Sequence, residues 1–225
     1  MVYLHETAYK ERTSLTANNK RPLGRPRSSE QKQPTNQSIL AAATDLFLAN
    51  GYQEVSVDDV AAACNVTKAT VYYYYSSKAA LFTETIVQMM FRIQAQMEAI
   101  LQEKAPLRNR LLQVAEAHLE ATVDIDLDSF MREAKNALTE EQIKKMQAAE
   151  EKLYEAIEQA FTEAMDKGEI RKINSTFAAH TYISLLRVGN YRDADDEPIF
   201  PTVQVTAEQI IAFLWNGLFT EKFEL

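Results

Sequence analysis

The amino-acid sequence predicts an all-α fold, and three observations carry that prediction. Glycine and proline are scarce, 5 and 6 in 225 residues, whereas sandwiches and barrels need turn residues every ~8–12 positions. The prolines stand at 22, 26, 34, 106, 198 and 201, which leaves 35–105 and 107–197 free of the main helix breaker. Within those stretches apolar residues recur at spacings of three and four, the period of a helix with one buried face. A content of 46% hydrophobic and 25% charged residues is globular, so the chain can bury a core.

Residues 1–33 are polar and without helical period, and read as a flexible basic arm. From Thr35 a first helix carries Ile39, Leu40, Ala43, Leu46 and Phe47, and Gly51 suits a left-handed stop. Ser56 opens a second helix of about two turns, with an acidic residue three later and Val57, Val60, Ala61 and Cys64 on its apolar side. Asn65-Val66 is a tight connection, and Thr67 caps a third short helix from Lys68 to about Tyr75. Two short helices across so small a turn have the dimensions of a helix-turn-helix. Ser76-Ser77 caps a fourth helix running from Leu81 and Phe82 to Leu101, before Pro106, long enough to join a domain at 34–81 to one at 82–225. Further helices are predicted at 107–122, 127–138, 139–167 and 175–190. T-E-E-Q opens the third of these, Gly168 stops it, and Gly189-Asn190 ends the fourth. R-D-A-D-D-E-P-I-F-P-T (192–202) is a loop, and Thr206 opens a last helix. The total is about nine helices, with no strand and no repeat.

The net charge of −8 is unevenly spread. Residues 1–37 hold seven Lys/Arg against three Glu, a net of +4, residues 38–85 a net of −3, and the remainder a net of −9. A basic lead at one end is compatible with a polyanionic partner even in an acidic chain. One cysteine, Cys64, excludes an intramolecular disulfide and points to a cytosolic compartment. It reads as a small packing residue or as a redox-sensing thiol. With His5, His118 and His180 it matches no structural zinc pattern, and no cofactor is implied. No apolar run approaches the ~18–20 residues that cross a bilayer, and the opening M-V-Y-L-H-E-T-A-Y-K-E-R lacks the apolar core of a signal peptide. No membrane partner is expected.

Three motifs now come together: A-x-x-L-F-x-x-x-G-Y (Ala43, Leu46, Phe47, Gly51, Tyr52), S-V-x-D-V-A from Ser56, and T-K-A-T-V-Y-Y-Y-Y-x-S-K from Thr67 to Lys78. In these the stretch 36–82 resembles the DNA-binding domain of TetR-family transcriptional repressors, a resemblance covering about one fifth of the chain. It implies that the third helix is a recognition helix. Val71 and Tyr75, four apart, then share the inward face, while Tyr72, Tyr73 and Tyr74 sweep round the other side and offer hydroxyls to phosphates. Thr67, Lys68 and Thr70 would reach base edges in the major groove. Ser56 and Lys78, at neighbouring helix N-termini, would meet phosphate. The family usually has His at Tyr74 and Phe at Tyr75, and often Gly at Ala69, so the departures are mild. The arm segment K-R-P-L-G-R-P-R (20–27) resembles an AT-hook core, in which Arg25 and Arg27 would enter a narrow A·T minor groove; the other reading is a basic leader that adds only phosphate affinity.

The resemblance also implies a ligand pocket and a dimer surface in the C-terminal domain. Candidates to line the pocket are Met89, Met90, Ile93 and Met97 on the fourth helix, and Leu111, Val114 and His118 on the fifth. Phe130 and Met131, then Tyr154, Ile157 and Phe161, complete the set. Each is equally an ordinary core position. His118, on an apolar face, reads as a core histidine with an internal partner, a hydrogen-bonding group for an effector, or a metal ligand. The acidic clusters 124–128 and 193–197 lack calcium-loop spacing and read as solvated turns. The last two helices are apolar over more than one stripe, and the resemblance makes Ile183, Leu186, Ile210, Phe213 and Leu214 the dimer surface.

The sequence thus predicts a homodimeric regulator of transcription, a repressor released from a pseudo-palindromic operator by a small apolar or amphipathic effector. The alternative is a DNA-binding regulator with no effector, controlled by a protein partner. A helical enzyme has little support: no nucleophile-base set, paired His ligands or glycine-rich phosphate loop is present.

Overall fold

Side chains that accept the first free backbone N–H groups set the helix starts. The computed structural model describes residues 35–122, 134, 136–195 and 197–219, with the side chains of 218 and 219 left aside. Among them run eight helices: α1 Thr35–Glu54, α2 Val57–Ala63, α3 Lys68–Tyr74, α4 Lys78–Leu101, α5 Leu107–Thr122, α6 Glu140–Asp166, α7 Ser175–Gly189 and α8 Val203–Phe219. Ser56, Thr67, Ser77, Thr139 and Asn174 each accept from the N–H three residues on, the bond an N-cap makes. Ser56 and Thr139 complete capping boxes with Asp59 and Gln142. The basic arm at 1–33 and the helix predicted at 127–138 lie outside the described residues, apart from a few positions near the end of the latter.

Glycine has different uses here. Gly168 (φ 71°) occupies the left-handed region expected of a helix stop, whereas Gly51 (φ 78°, ψ 170°) kinks α1 and the helix resumes to Glu54 rather than ending there. Gly189 does neither. A Cβ there would stand 2.8 Å from Ile210 Cδ1 and 2.9 Å from Leu119 Cδ2, so the glycine permits close approach of α7 to α5 and α8 rather than a turn. The last helix starts at Val203, not Thr206, because the Thr202 hydroxyl accepts from Val205 N–H at 3.2 Å. Thr206 is buried and its hydroxyl donates to Thr202 O. The 192–202 loop is tied by an isolated bridge between Arg192 and Pro198 and by the Asp193 carboxylate, which accepts from Asp195 and Glu197 N–H.

Two apolar cores are strung along α4 and α6. The first gathers Ile39, Ala43 and Phe47 of α1, Val57 and Val60 of α2, Val71 of α3, and Leu81, Phe82 and Ile86 of α4. It also takes Met146 and Ala149 from the N-terminal half of α6. Phe82 is its hub, meeting Phe47 edge-on at 5.2 Å and Tyr52 edge-on at 4.9 Å between ring centroids. The second core joins Met97 and Leu101 of α4 to Leu107, Leu111 and Leu119 of α5, Ile157 and Phe161 of α6, Tyr182 and Leu186 of α7, and Ile210, Ile211 and Leu214 of α8. Burying one such side chain contributes about 1.5–3 kcal/mol. Lys145 on α6 pairs with Glu84 on α4 at 2.6 Å, beside the first core.

A buried arginine closes the junction between α4 and α5. Arg110 donates through Nη1 to Leu101 O, and its Nη2 lies 3.7 Å from Glu169 Oε2. The same Glu169 oxygen accepts from Leu107 N–H at 3.0 Å, so one carboxylate serves the start of α5 and the guanidinium together. Among the described residues no helix is long and apolar enough to cross a membrane, and no group of three His, Cys, Asp or Glu could hold a metal ion.

Candidate nucleic-acid interface

Helix α3 is seven residues long, too short to persist alone, and Val71 anchors it in the first core with 1% exposure. With Val71 inward, the helical period turns the next three residues out. Tyr73 is 83% exposed, Tyr72 and Tyr74 flank it in the open, and the Tyr73 and Tyr74 rings meet edge-on at 5.1 Å. Tyr75 leaves the helix and is half-buried, its hydroxyl 3.5 Å from Asn36 O. Burial first, and then the neighbouring Glu84 and Tyr74, push its pKa up to about 12.

At the N-terminus of α3 the Thr67 hydroxyl caps Thr70 N–H at 3.1 Å and lies 2.8 Å from the Thr70 hydroxyl. Lys68 is extended across the helix-turn-helix to Asp58 of α2, with Nζ 2.5 Å from Oδ2, and this carboxylate raises the lysine's pKa. Ser56 is exposed and its hydroxyl and N–H both donate to Asp59 Oδ2, at 2.6 and 2.8 Å. Those bonds hold the Asp59 carboxyl below its ordinary range. Lys78 is half-buried, donates to Gln53 O at 3.0 Å and lies 4.5 Å from the centre of the Tyr52 ring. It therefore closes the end of α1 as well as standing at the start of α4, and burial lowers its pKa. Ser56, Thr67, Lys68, Tyr72, Tyr73 and Tyr74 are all exposed, while Thr70 is half-buried beside Thr67. Arg25 and Arg27 lie outside the described residues.

Such a face offers hydroxyls, one extended ammonium and aromatic edges, which suits hydrogen bonding to phosphates and base edges. Sequence reasoning missed Asp58. It stands ten positions before Lys68, and no rule of spacing within one helix would have joined them.

The effector candidates do not converge on one place. Met97, Leu111, Val114, Ile157 and Phe161 are buried in the second core. Met89 and Met90 pack against the first, and Ile93 is exposed. Tyr154 stacks on His180 at 4.3 Å, and Arg187, which pairs with Glu150 at 2.8 Å, reaches the Tyr154 hydroxyl at 3.5 Å. Burial, and then the Arg187 guanidinium, lower the pKa of His118. Phe130 and Met131 lie outside the described residues. A concavity of about 670 Å³ opens instead at the α4–α5 junction, lined by Lys104, Arg110, Glu163, Lys167, Glu169 and Trp215 among others, and by none of the twelve candidates.

The dimer candidates also divide. Leu186, Ile210 and Leu214 are buried in the chain's own second core and are not surface at all. Both helices are apolar over more than one stripe, so the sequence does not distinguish the stripe that faces inward. Ile183 is half-buried, and Phe213 alone of the five is fully in the open, at 70% exposure. Phe177 and Val188 of α7 and Tyr191 beyond it, which spacing did not single out, are exposed as well.

Residues 39–85 match the family model for bacterial regulatory proteins of the tetR family. The HTH-type transcriptional regulator YdeS of Bacillus subtilis is 41% identical over 64 residues, 28% of this chain and 30% of that protein. The fatty acid metabolism regulator protein of the same organism is 28% identical over 89 residues, 40% of this chain and 46% of that protein. The chain thus matches less than half the length of either curated relative. Among solved structures, FadR of Bacillus subtilis in complex with stearoyl-CoA superposes with a TM-score of 0.64 at 18% identity, over 80% of this chain and 98% of that one. At that identity the likeness is one of fold.

Proposed function

We propose that this chain, whose N-terminal head is a tetR-family helix-turn-helix domain, is a DNA-binding regulator of transcription that acts as a homodimeric repressor on a pseudo-palindromic operator. The observation that carries the reading is the outward face of α3, where Thr67 and Lys68 lead and Tyr72, Tyr73 and Tyr74 follow while Val71 holds the helix down. Placed in a major groove, the N-terminal end of such a helix meets base edges and the tyrosine hydroxyls meet the flanking phosphates. The named relatives are regulators.

A two-fold dimer is supported by the apolar side chains left outside the second core. Phe177 and Val188 share one face of α7, and Phe213 stands on α8. A self-complementary contact would cover them on both copies at once. The partner surface is this outer stripe rather than Leu186, Ile210 and Leu214.

For release from DNA, the proposed effector is a small apolar or amphipathic molecule that binds the body. The fatty acid metabolism regulator and the stearoyl-CoA complex among the similar proteins support that class. An effector acts only through its preference for the DNA-incompetent state, and a coupling of ~1–3 kcal/mol changes operator affinity about 5–150-fold. The second reading, a regulator with no small-molecule effector and under a protein partner's control, is favoured by the burial of Met97, Leu111, Val114, Ile157 and Phe161 in packed core. Release of bound DNA by long-chain acyl-CoA in a gel-shift titration separates the two.

The head is tested by Lys68→Ala combined with Tyr73→Phe, on DNA selected from a random duplex pool by the wild-type chain. Affinity is expected to fall about 10-fold or more at physiological salt, the loss of one base contact and one phosphate contact. Unchanged binding would remove α3 from the interface.

A further inference from the structure

Between residues 35 and 85 there are only two basic side chains, Lys68 and Lys78, against five acidic ones. Both are engaged within the head. Lys78 donates to Gln53 O, and Lys68 Nζ lies 2.5 Å from Asp58 Oδ2. Asp58 is not needed to build α2, because Asp59 forms the capping box with Ser56 and does so alone. Nor is it buried; its side chain is 61% exposed and that of Lys68 51%. A carboxylate in this position therefore does one thing that its neighbour Asp59 does not: it occupies the ammonium that leads the recognition helix.

The consequence follows from where positive charge acts on DNA. Phosphates lie along every sequence, and each one neutralised by a lysine adds sequence-independent affinity through counterion release. Guanine N7 and O6, in contrast, are present only at particular base pairs. A lysine free to swing will take whichever phosphate is near. A lysine held across the turn by a carboxylate gives up that partner only for an acceptor placed where its ammonium already stands. Resting on the DNA-binding reading above, we propose that Asp58 is a specificity-determining positioning residue, which withholds Lys68 from phosphates and leaves it available to base edges. An acidic residue in the first turn also interacts favourably with the helix dipole, but that role is independent of Lys68 and can be separated from this one.

The test is a double-mutant cycle on the full chain. Wild type, Asp58→Asn, Lys68→Ala and the double variant are titrated, across a series of KCl concentrations, against the tightest duplex that wild type selects from a random pool and against its scrambled sequence. Asp58→Asn is expected to raise affinity for the scrambled duplex about 3-fold and to steepen its log–log salt dependence by about 0.9, one phosphate more. Affinity for the selected duplex should stay within about 2-fold, so that discrimination narrows. In the Lys68→Ala background most of the gain should vanish, and Asp58→Glu, which keeps the carboxylate, should retain the wild-type ratio. Equal gains with and without Lys68, or an unchanged ratio of selected to scrambled binding, would overturn the proposal while leaving the DNA-binding reading intact. If wild type enriches no sequence from the pool, that reading falls and this one with it. Thermal melting of Asp58→Asn at the wild-type temperature confirms that the head is still folded.

Discussion

The two cores of this molecule are held by contacts of different reach. In the first, the capping side chains close bonds with the backbone three residues away, Ser56 with Asp59, Thr67 with Thr70 and Ser77 with Ala80, and longer bonds join Lys78 to Gln53 O, Tyr75 to Asn36 O and Lys145 to Glu84. The second has its caps too, but its polar contacts span the chain. The Tyr182 hydroxyl donates to Leu111 O at 2.7 Å across 71 positions, Asn190 to the Thr122 hydroxyl across 68, and Leu107 N–H to Glu169 across 62. The caps of the head's short helices therefore depend on little more than a turn of chain, while its core still takes Met146 and Ala149 from α6. In the body the distant bonds tie several helices together, so that moving one of them strains the others.

The comparison can be broken at Phe82, the hub of the head's aromatic cluster. Phe82→Ala is expected to cost about 3–5 kcal/mol. The single tryptophan, Trp215, sits against the second core and reports on it alone. Because α4 and α6 run through both cores, the loss of far-UV ellipticity and the change in Trp215 fluorescence should shift together in denaturant. Two separated transitions would mean that the head unfolds by itself and that the contacts of Met146 and Ala149 with it are weak.

A smaller effect is expected in the body at Gly189. Gly189→Ala forces apart Ile210 and Leu119, whose side-chain tips can give a few tenths of an ångström, and should cost about 1–3 kcal/mol as an overpacked contact. Stability equal to wild type in urea would show that α7 does not approach α5 and α8 so closely.

The smallest effect is one of pH. His118 has its pKa lowered from 6.5 in the folded chain. Its neutral form therefore contributes stability that is complete above the unfolded value and is lost as pH falls below 6.5 through the folded one. Wild type should be less stable at pH 5 than at pH 8, and His118→Gln should flatten part of that slope. An identical slope in the variant would assign the loss between pH 8 and pH 5 to another group, and that group is not Glu84, which contributes only at lower pH. There burial raises the carboxyl's pKa but hydrogen bonds from Lys145 and Gln88 outweigh it, and the net lowering is lost at more acidic pH.

Most helix limits were legible because a cap is a local bargain between a hydroxyl and an N–H three residues on. Ser56, Thr67, Ser77, Thr139 and Gly168 could each be read from a few neighbours, while Gly51 proved a kink within α1 rather than its end. Thr206 misled, because Thr202 sits one turn earlier after Pro201 and caps equally well. The outward tyrosines were legible from the period of α3 once Val71 was taken as the anchor. Lys78 was not, since its partner Gln53 belongs to another helix. Three of the five dimer candidates, Leu186, Ile210 and Leu214, lie in the chain's own core for a related reason. Where a helix carries more than one apolar stripe, periodicity does not choose between them, and only the packing of α5 and α6 against α7 and α8 makes Leu186 and Leu214 interior and Phe213 exterior.

By itself the sequence determined the helical class, the places where most helices begin and end, and the lysine and tyrosines that α3 turns outward, because each depends on interactions within a turn or two of chain. The tertiary structure alone decided which apolar stripe faces the core, why Gly189 is glycine, and that Lys68 is held by Asp58. Those depend on distances between residues on different helices, and such distances are set by how the helices pack.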